Sequence, residues 1–214
     1  MSYLAEQEIN CPYCKHPQTA ELWSVINVRE DPELKDLLLG GEVNVVDCEA
    51  CHEAFFAEHF LLYHDPDNEL MAFVFSTNDR ENREAMTEKA RADFYRGQNE
   101  LPEAERLAYE PFTFFGFDEL LAFVENDEEV GLQGEVVEAI SQESRLPVRK
   151  LRPSVARRQN LPRVLPFVEE PGRSASESLV TGLRRLRDLN DRLTVYNETL
   201  ERLSKNPAAD LQFA

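Results

Sequence analysis

Two cysteine pairs, Cys11-Pro12-Tyr13-Cys14 and Cys48-Glu49-Ala50-Cys51, are all the cysteine in this chain. A Cys-x-x-Cys tetrapeptide closes a tight knuckle that aims two sulfurs at one point. Two knuckles supply four soft ligands, the donor set of tetrahedral Zn²⁺. The pattern predicts one structural Zn²⁺ held by Cys11, Cys14, Cys48 and Cys51, with a zinc-ribbon-like β-sheet around it. The interval between the pairs is wider than in a plain zinc ribbon, so residues 15–47 are expected to hold inserted structure.

Three rival chemistries stay open on sequence alone. Disulfides would need an oxidising compartment, and nothing in the chain indicates export. Cys-Pro-Tyr-Cys resembles a glutaredoxin active site, where a following helix lowers the first thiol's pKa; here Lys15-His16-Pro17 follows, and Pro17 disfavours helix at His16. Cys48 to His52 fits a haem-attachment motif, which would leave Cys11 and Cys14 without a role. His52 is expected to be a loop residue beside the second knuckle.

The chain has 214 residues, room for one generous domain or a domain with an appendage. Its apolar runs, such as Leu70 to Phe75, are too short to span a bilayer. The amino terminus shows neither the basic nor the apolar region of a signal peptide, so a cytoplasmic location without membrane contact is the expectation. The net charge of −18 is unevenly spread. Residues 146–214 carry 13 basic and 8 acidic side chains, leaving 10 basic and 33 acidic in the rest. An acidic body repels nucleic acid at long range; the basic end needs its own account.

Along the chain, residues 20–29 are rich in β-formers and predict a strand, with the single tryptophan, Trp23, expected against the knuckles. Asp31 as cap, Pro32 at the first position and Gly40-Gly41 as the stop predict a short helix. Val43 to Val46 predicts a strand leading to Cys48. The Asp65-Pro66-Asp67-Asn68 turn predicts a hairpin joining Phe55–Tyr63 to Leu70–Phe75. A polar helix with a thin apolar face at Ala85, Ala92 and Phe94 is expected over residues 78–97. A strand at Phe112–Phe115 and two short helices, 118–126 and 133–141, follow. The carboxylates of residues 125–129 lack the spacing of an EF-hand and predict a solvated face.

Cys-Pro-x-Cys, the Asp31-Pro32-Glu33-Leu34 helix start, the second Cys-x-x-Cys, Leu61-Leu62-Tyr63-His64-Asp65, the aromatic strand and Phe117-Asp118-Glu119-Leu120 together resemble the CpXC family of bacterial proteins over residues 8–145. The resemblance implies a metal-binding α+β domain without an established activity. Glu49 departs from it, standing where the family often has proline.

From Arg149 to Arg163 there are six basic residues and no acid, with Pro153 and Pro162. Proline, glycine and serine continue to Ser178. Residues 149–175 therefore read as a basic linker after a domain at 1–148, and residues 176–205 as a C-terminal amphipathic helix before a tail at 206–214. In that helix Leu179, Leu183, Leu186, Leu193 and Leu200 follow heptad spacing, with Asn190 and Asn197 at alternate core positions. Such a stripe serves a coiled-coil homodimer, a foreign protein partner, or the chain's own domain, with Leu189, Tyr196 and Leu203 widening it.

No phosphate-binding glycine loop, nucleophile elbow or metalloprotease histidine pair occurs. His64 and Asp65, with His59 as a candidate neighbour, are the one acid/base grouping. As strand neighbours, His64 and Asp65 face opposite sides. The leading functional expectation is a non-enzymatic, zinc-stabilised protein-interaction or assembly module. The alternatives are a nucleic-acid-linked regulator using residues 149–163, and a hydrolase-like enzyme using His64 and Asp65.

Overall fold

The computed structural model of the protein describes residues 1–169, 171–205 and 211, in an α+β arrangement of two compact units, Met1–Glu125 and Asn126–Ala214. In the first unit β1 (Tyr3–Asn10) and β2 (Pro17–Asn27) flank the first knuckle. Helix α1 (Glu33–Leu39) and β3 (Val45–Asp47) lie between the two cysteine pairs. After the second pair come β4 (Ala54–Phe56), β5 (Leu61–Asp65), β6 (Leu70–Phe75), a 3₁₀ turn at Thr77–Asn82, α2 (Arg83–Glu100) and β7 (Phe112–Phe115). The main sheet runs β1-β2-β5-β6-β7, and β3 pairs with β4 in a separate ribbon. β1/β2 and β5/β6 are antiparallel, whereas β2/β5 and β6/β7 are parallel.

Local chemistry explains most of these elements. Gly40 closes α1, and Gly41 follows at φ +70°, the left-handed conformation that suits a residue without Cβ. Asp31 does not cap α1 with its side chain; its carboxylate takes the Ser2 N–H instead. The hairpin turn after β5 forms as expected, but residues 57–60 interrupt its first arm, and Ala54–Phe56 joins β3 rather than the main sheet. Helix α2 buries Ala90 and Phe94, spaced i, i+4, while Ala85 and Ala92 are exposed. The core of this sheet gathers Ile26, Leu61, Tyr63, Ala72 and Val74 against Leu34 and Leu38 of α1 and Leu120 and Val124. Trp23 packs against this cluster, while Leu22 is the β2 residue buried with Cys11 and Cys48. Adjacent strand residues face opposite sides, so Leu22 on the knuckle side turns Trp23 away from it.

Helix α3 (Phe117–Ser144) is continuous where two short helices were expected, running through Gly131 and Gly134. A helical glycine costs about 1 kcal/mol relative to alanine, less than a run of 28 residues can absorb. In the second unit, the expected linker of residues 149–175 is largely ordered. It forms part of β8 (Val148–Lys150), then α4 (Pro153–Gln159) and β9 (Val164–Pro166). β8 and β9 pair antiparallel. Leu151, Ala156, Leu161, Leu165 and Phe167 are buried, so apolar content outweighs the proline and arginine signal.

The expected single C-terminal helix is two helices, α5 (Ala175–Leu189) and α6 (Thr194–Lys205). Ser174 and Glu177 form a reciprocal capping box at the start of α5. Asn190 ends α5 in extended backbone, and its Oδ1 accepts from the Arg192 N–H. Leu179, Leu183, Leu186, Leu193 and Leu200 are at most 5% exposed, in one core with Val137, Leu165, Tyr196 and Leu203. The heptad stripe is thus occupied by its own unit, and the continuous coiled coil expected from it is not formed. Gly182 permits the contact: a Cβ there would lie 2.0 Å from the Pro166 carbonyl oxygen. Of the tail expected at 206–214, all but Leu211 lies outside the described residues.

Candidate metal centre

Both cysteine pairs adopt the same knuckle. In the first, Cys11 N–H donates to His16 O (3.0 Å) and Lys15 N–H to Cys11 O (3.0 Å). In the second, Cys48 N–H donates to Glu53 O (3.1 Å) and His52 N–H to Cys48 O (2.9 Å). Lys15 and His52 reverse the chain at φ 65° and 60°, the left-handed region that non-glycine residues seldom occupy. His52 is thus the turn residue of its knuckle.

The two knuckles converge. Cys11 Sγ lies 3.7 Å from Cys51 Sγ, and Cys14 Sγ 3.5 Å from Cys48 Sγ. All four sulfurs fall within 4.8 Å of one another. A tetrahedral ion with Zn–S bonds of about 2.3 Å sets its sulfurs about 3.8 Å apart, whereas a disulfide holds them about 2.05 Å apart. The four residues fit a tetrahedral metal, and the cysteines are free of disulfides. Cys11 and Cys48 are buried with Leu22, Phe55 and Ala57, while Cys14 is exposed.

The sulfurs are electrostatically mismatched without a cation. N–H groups of Cys51 and Ala50 bring the Cys48 thiol down to about 6. The Glu53 N–H acts to lower Cys51 in the same way, but burial and the sulfurs of Cys48, Cys14 and Cys11 push it up to about 12. A bound divalent cation would remove this conflict, because a coordinating thiol is deprotonated outright.

Two side chains missed in the sequence hold the knuckles in register. Gln18 is buried, donates from Nε2 to Asp47 O (3.0 Å), and accepts the Glu49 N–H at Oε1 (3.0 Å). It straps the strand leaving the first knuckle to the residues on either side of Cys48. Proline at position 49 would have no N–H to give, so the departure at Glu49 completes this strap. Asn44, buried at φ 59°, clamps the Trp23 backbone from both sides: its Oδ1 accepts Trp23 N–H (2.7 Å), and its Nδ2 donates to Trp23 O (3.1 Å).

A family model described as CpXC protein matches residues 9–140. The chain belongs to the CpXC family. No curated protein and no solved structure matches it.

The rival readings of the CpXC cysteines fare differently from the metal. Chain reversal at Lys15 and strand β2 from Pro17 stand where a glutaredoxin-like thiol would need a helix. The acid/base grouping is also divided. Asp65, 2% exposed, takes Lys35 Nζ at 3.1 Å and the Asn68 side-chain amide and backbone N–H at 2.7 and 3.2 Å. That carboxylate shapes the hairpin turn. His64 instead meets the Tyr109 hydroxyl through Nε2 at 2.8 Å, and burial holds its pKa below the usual imidazole range.

The basic segment of the CpXC chain is largely engaged within the second unit. Arg157 and Arg163 both donate to Asp127, which is only 8% exposed. Arg149 pairs with Glu169 and Lys150 with Glu138. Asp127 thus departs from the expected solvated carboxylate face, because two guanidinium groups offset the cost of burying it. Among the described residues no helix is long and apolar enough to cross a membrane.

Proposed function

We propose that this CpXC protein is a non-enzymatic, zinc-stabilised protein-interaction or assembly module of the cytoplasm. The observation that carries the reading is the all-sulfur donor set. Four protein ligands fill a tetrahedral Zn²⁺, leaving no position for a water or a substrate, as in structural rather than catalytic sites. The engagement of Asp65 by Lys35 and Asn68 supports the same reading against a hydrolase-like role for His64 and Asp65. The pairing of Arg157 and Arg163 with Asp127 supports it against a nucleic-acid role for residues 149–163.

Function then lies on the surface that the zinc scaffold presents. Residues 1–125 carry 27 acidic and 9 basic side chains and the remaining residues 14 of each, so the whole formal charge of −18 belongs to the first unit. That balance favours a protein partner with a basic surface. The test is purification of the full chain from its native cell under reducing conditions. About one zinc per chain and a stoichiometric protein partner, the partner lost in Cys48→Ser, are expected. A folded chain without metal, or tight nucleic-acid binding in a gel shift at physiological salt, would overturn the reading.

A further inference from the structure

We propose that the outer edge of β1 is a strand-addition site for an extended basic segment of a partner protein, an inference that rests on the interaction-module reading above. β1 ends the five-stranded sheet, and over eight residues its free edge is about 27 Å long. Among the described residues, hydrogen bonds of β1 lead only to β2, so alternate N–H and C=O groups of its other edge face solvent.

The opposite edge of the same sheet is treated differently. At the end of β7, Phe115 N–H donates to Glu119 Oε2 (3.0 Å), and its carbonyl accepts Arg80 Nε (2.9 Å). Those side chains take up backbone groups that a further strand would need. β1 has no such cover, no proline and no lysine; what guards this edge is a register shift between Tyr3 and Leu4 and the carboxylates of Glu6 and Glu8.

The charge on β1 selects the occupant. Glu6 and Glu8 are exposed on one face, and Glu6 sits directly opposite Glu21 of β2. Like charges in that register destabilise a sheet, and none of the three carboxylates has an ion pair among the described residues. Six of the nine cations of the unit are already paired elsewhere: Arg29, Lys35, Arg80, Arg83, Arg91 and Arg96. A second copy adding antiparallel about Gln7 would set Glu6 against Glu8 twice, so self-pairing is opposed. A strand with Lys or Arg at every second position would instead place cations beside Glu6 and Glu8 while its backbone completes the ladder.

The probe is an eight-residue peptide of alternating lysine and valine, titrated against the full-length, metal-loaded protein. Binding is expected, with hydrogen-exchange protection appearing at residues 3–10. A block peptide of four lysines then four valines, and an alternating peptide N-methylated along one edge, should each bind at least about tenfold more weakly. Glu6→Lys with Glu8→Lys should lose the lysine–valine peptide and gain an alternating glutamate–valine one. Equal binding of all three basic peptides would reduce the effect to diffuse charge attraction and overturn the proposal, as would no binding. A dimer in light scattering that Glu6→Lys/Glu8→Lys dissociates would assign the edge to a second copy and overturn it too. If the native partner still binds that double variant, strand addition at β1 fails while the interaction-module reading stands.

Discussion

The two units of this chain solve the same problem with different means. In the first, short strands and the knuckles bury a cluster of Cys11, Leu22, Cys48, Phe55 and Ala57 beside the sheet core, and the unit carries all of the −18 charge. In the second, α3, α5, α6 and the β8–β9 ribbon supply one larger apolar core that contains no cysteine, with charges in balance. The contrast teaches where a cross-link is needed. Under self-repulsion and with a small knuckle core, the first unit is where a bound metal would contribute most, whereas the second depends on apolar packing, with the Asp127 ion pairs beside it.

The largest effect is expected from separating those two dependences. A structural Zn²⁺ site contributes on the order of 10–16 kcal/mol, comparable to or above the roughly 5–15 kcal/mol stability of a whole domain. Cys48→Ser should therefore abolish hydrogen-exchange protection in residues 1–125 and spare residues 126–205. Gly182→Ala should do the reverse, driving α5 from β9 and costing the second unit about 1–3 kcal/mol or more, with the zinc content unchanged. If either variant unfolds both regions together, the division of labour is wrong.

A smaller effect sharpens the metal side of the comparison. Gln18→Leu keeps the bulk of the side chain but leaves Asp47 O and Glu49 N–H without their partner. An unsatisfied buried group costs about 1–3 kcal/mol, and loss of an outer support of a metal site lowers affinity about 10–100-fold. Competition with a calibrated zinc chelator measures it. Unchanged affinity would mean that the knuckles hold their spacing without the strap.

The smallest effect is acid sensitivity of the first unit. Burial holds the His64 imidazole below its ordinary pKa, so the unfolded chain takes up the proton first as pH falls. The resulting contribution is complete above about pH 6.5 and is lost as pH falls from there through the lower folded value. His64 is only half-buried and one group among many, which makes this the smallest of the three effects. Denaturation of wild type and His64→Gln between pH 7.5 and 5 checks it, the difference between them removing proton competition at the thiolates. Parallel curves would show that His64 does not contribute.

Legibility followed the range of the interactions. The knuckles, the Asp31-Pro32 helix with its Gly40 stop, the β5–β6 hairpin and β7 were readable because each is fixed by a few neighbouring residues. β1 carries no strand signal in the sequence, since Glu6, Gln7 and Glu8 have low β-propensity and gain order only by pairing with β2. β8 and β9 are illegible in the sequence because three residues carry no usable periodicity. Gln18 gave no signal at all: a glutamine becomes a strap only when the second knuckle arrives beside it.

By itself the sequence determined that two Cys-x-x-Cys knuckles would face one point and that an α+β scaffold would surround them. Spacing and turn chemistry act within a handful of bonds, so they survive being read one segment at a time. Only the tertiary structure decided what covers each apolar stripe and what answers each charge. A heptad of leucines looks the same whether its own unit or another chain buries it, and here α5 and α6 are closed over β9 and α3. The same holds for Arg157 of α4 and Arg163 just before β9: composition made them look free, and the Asp127 carboxylate, about 30 residues away in sequence, meets them in space.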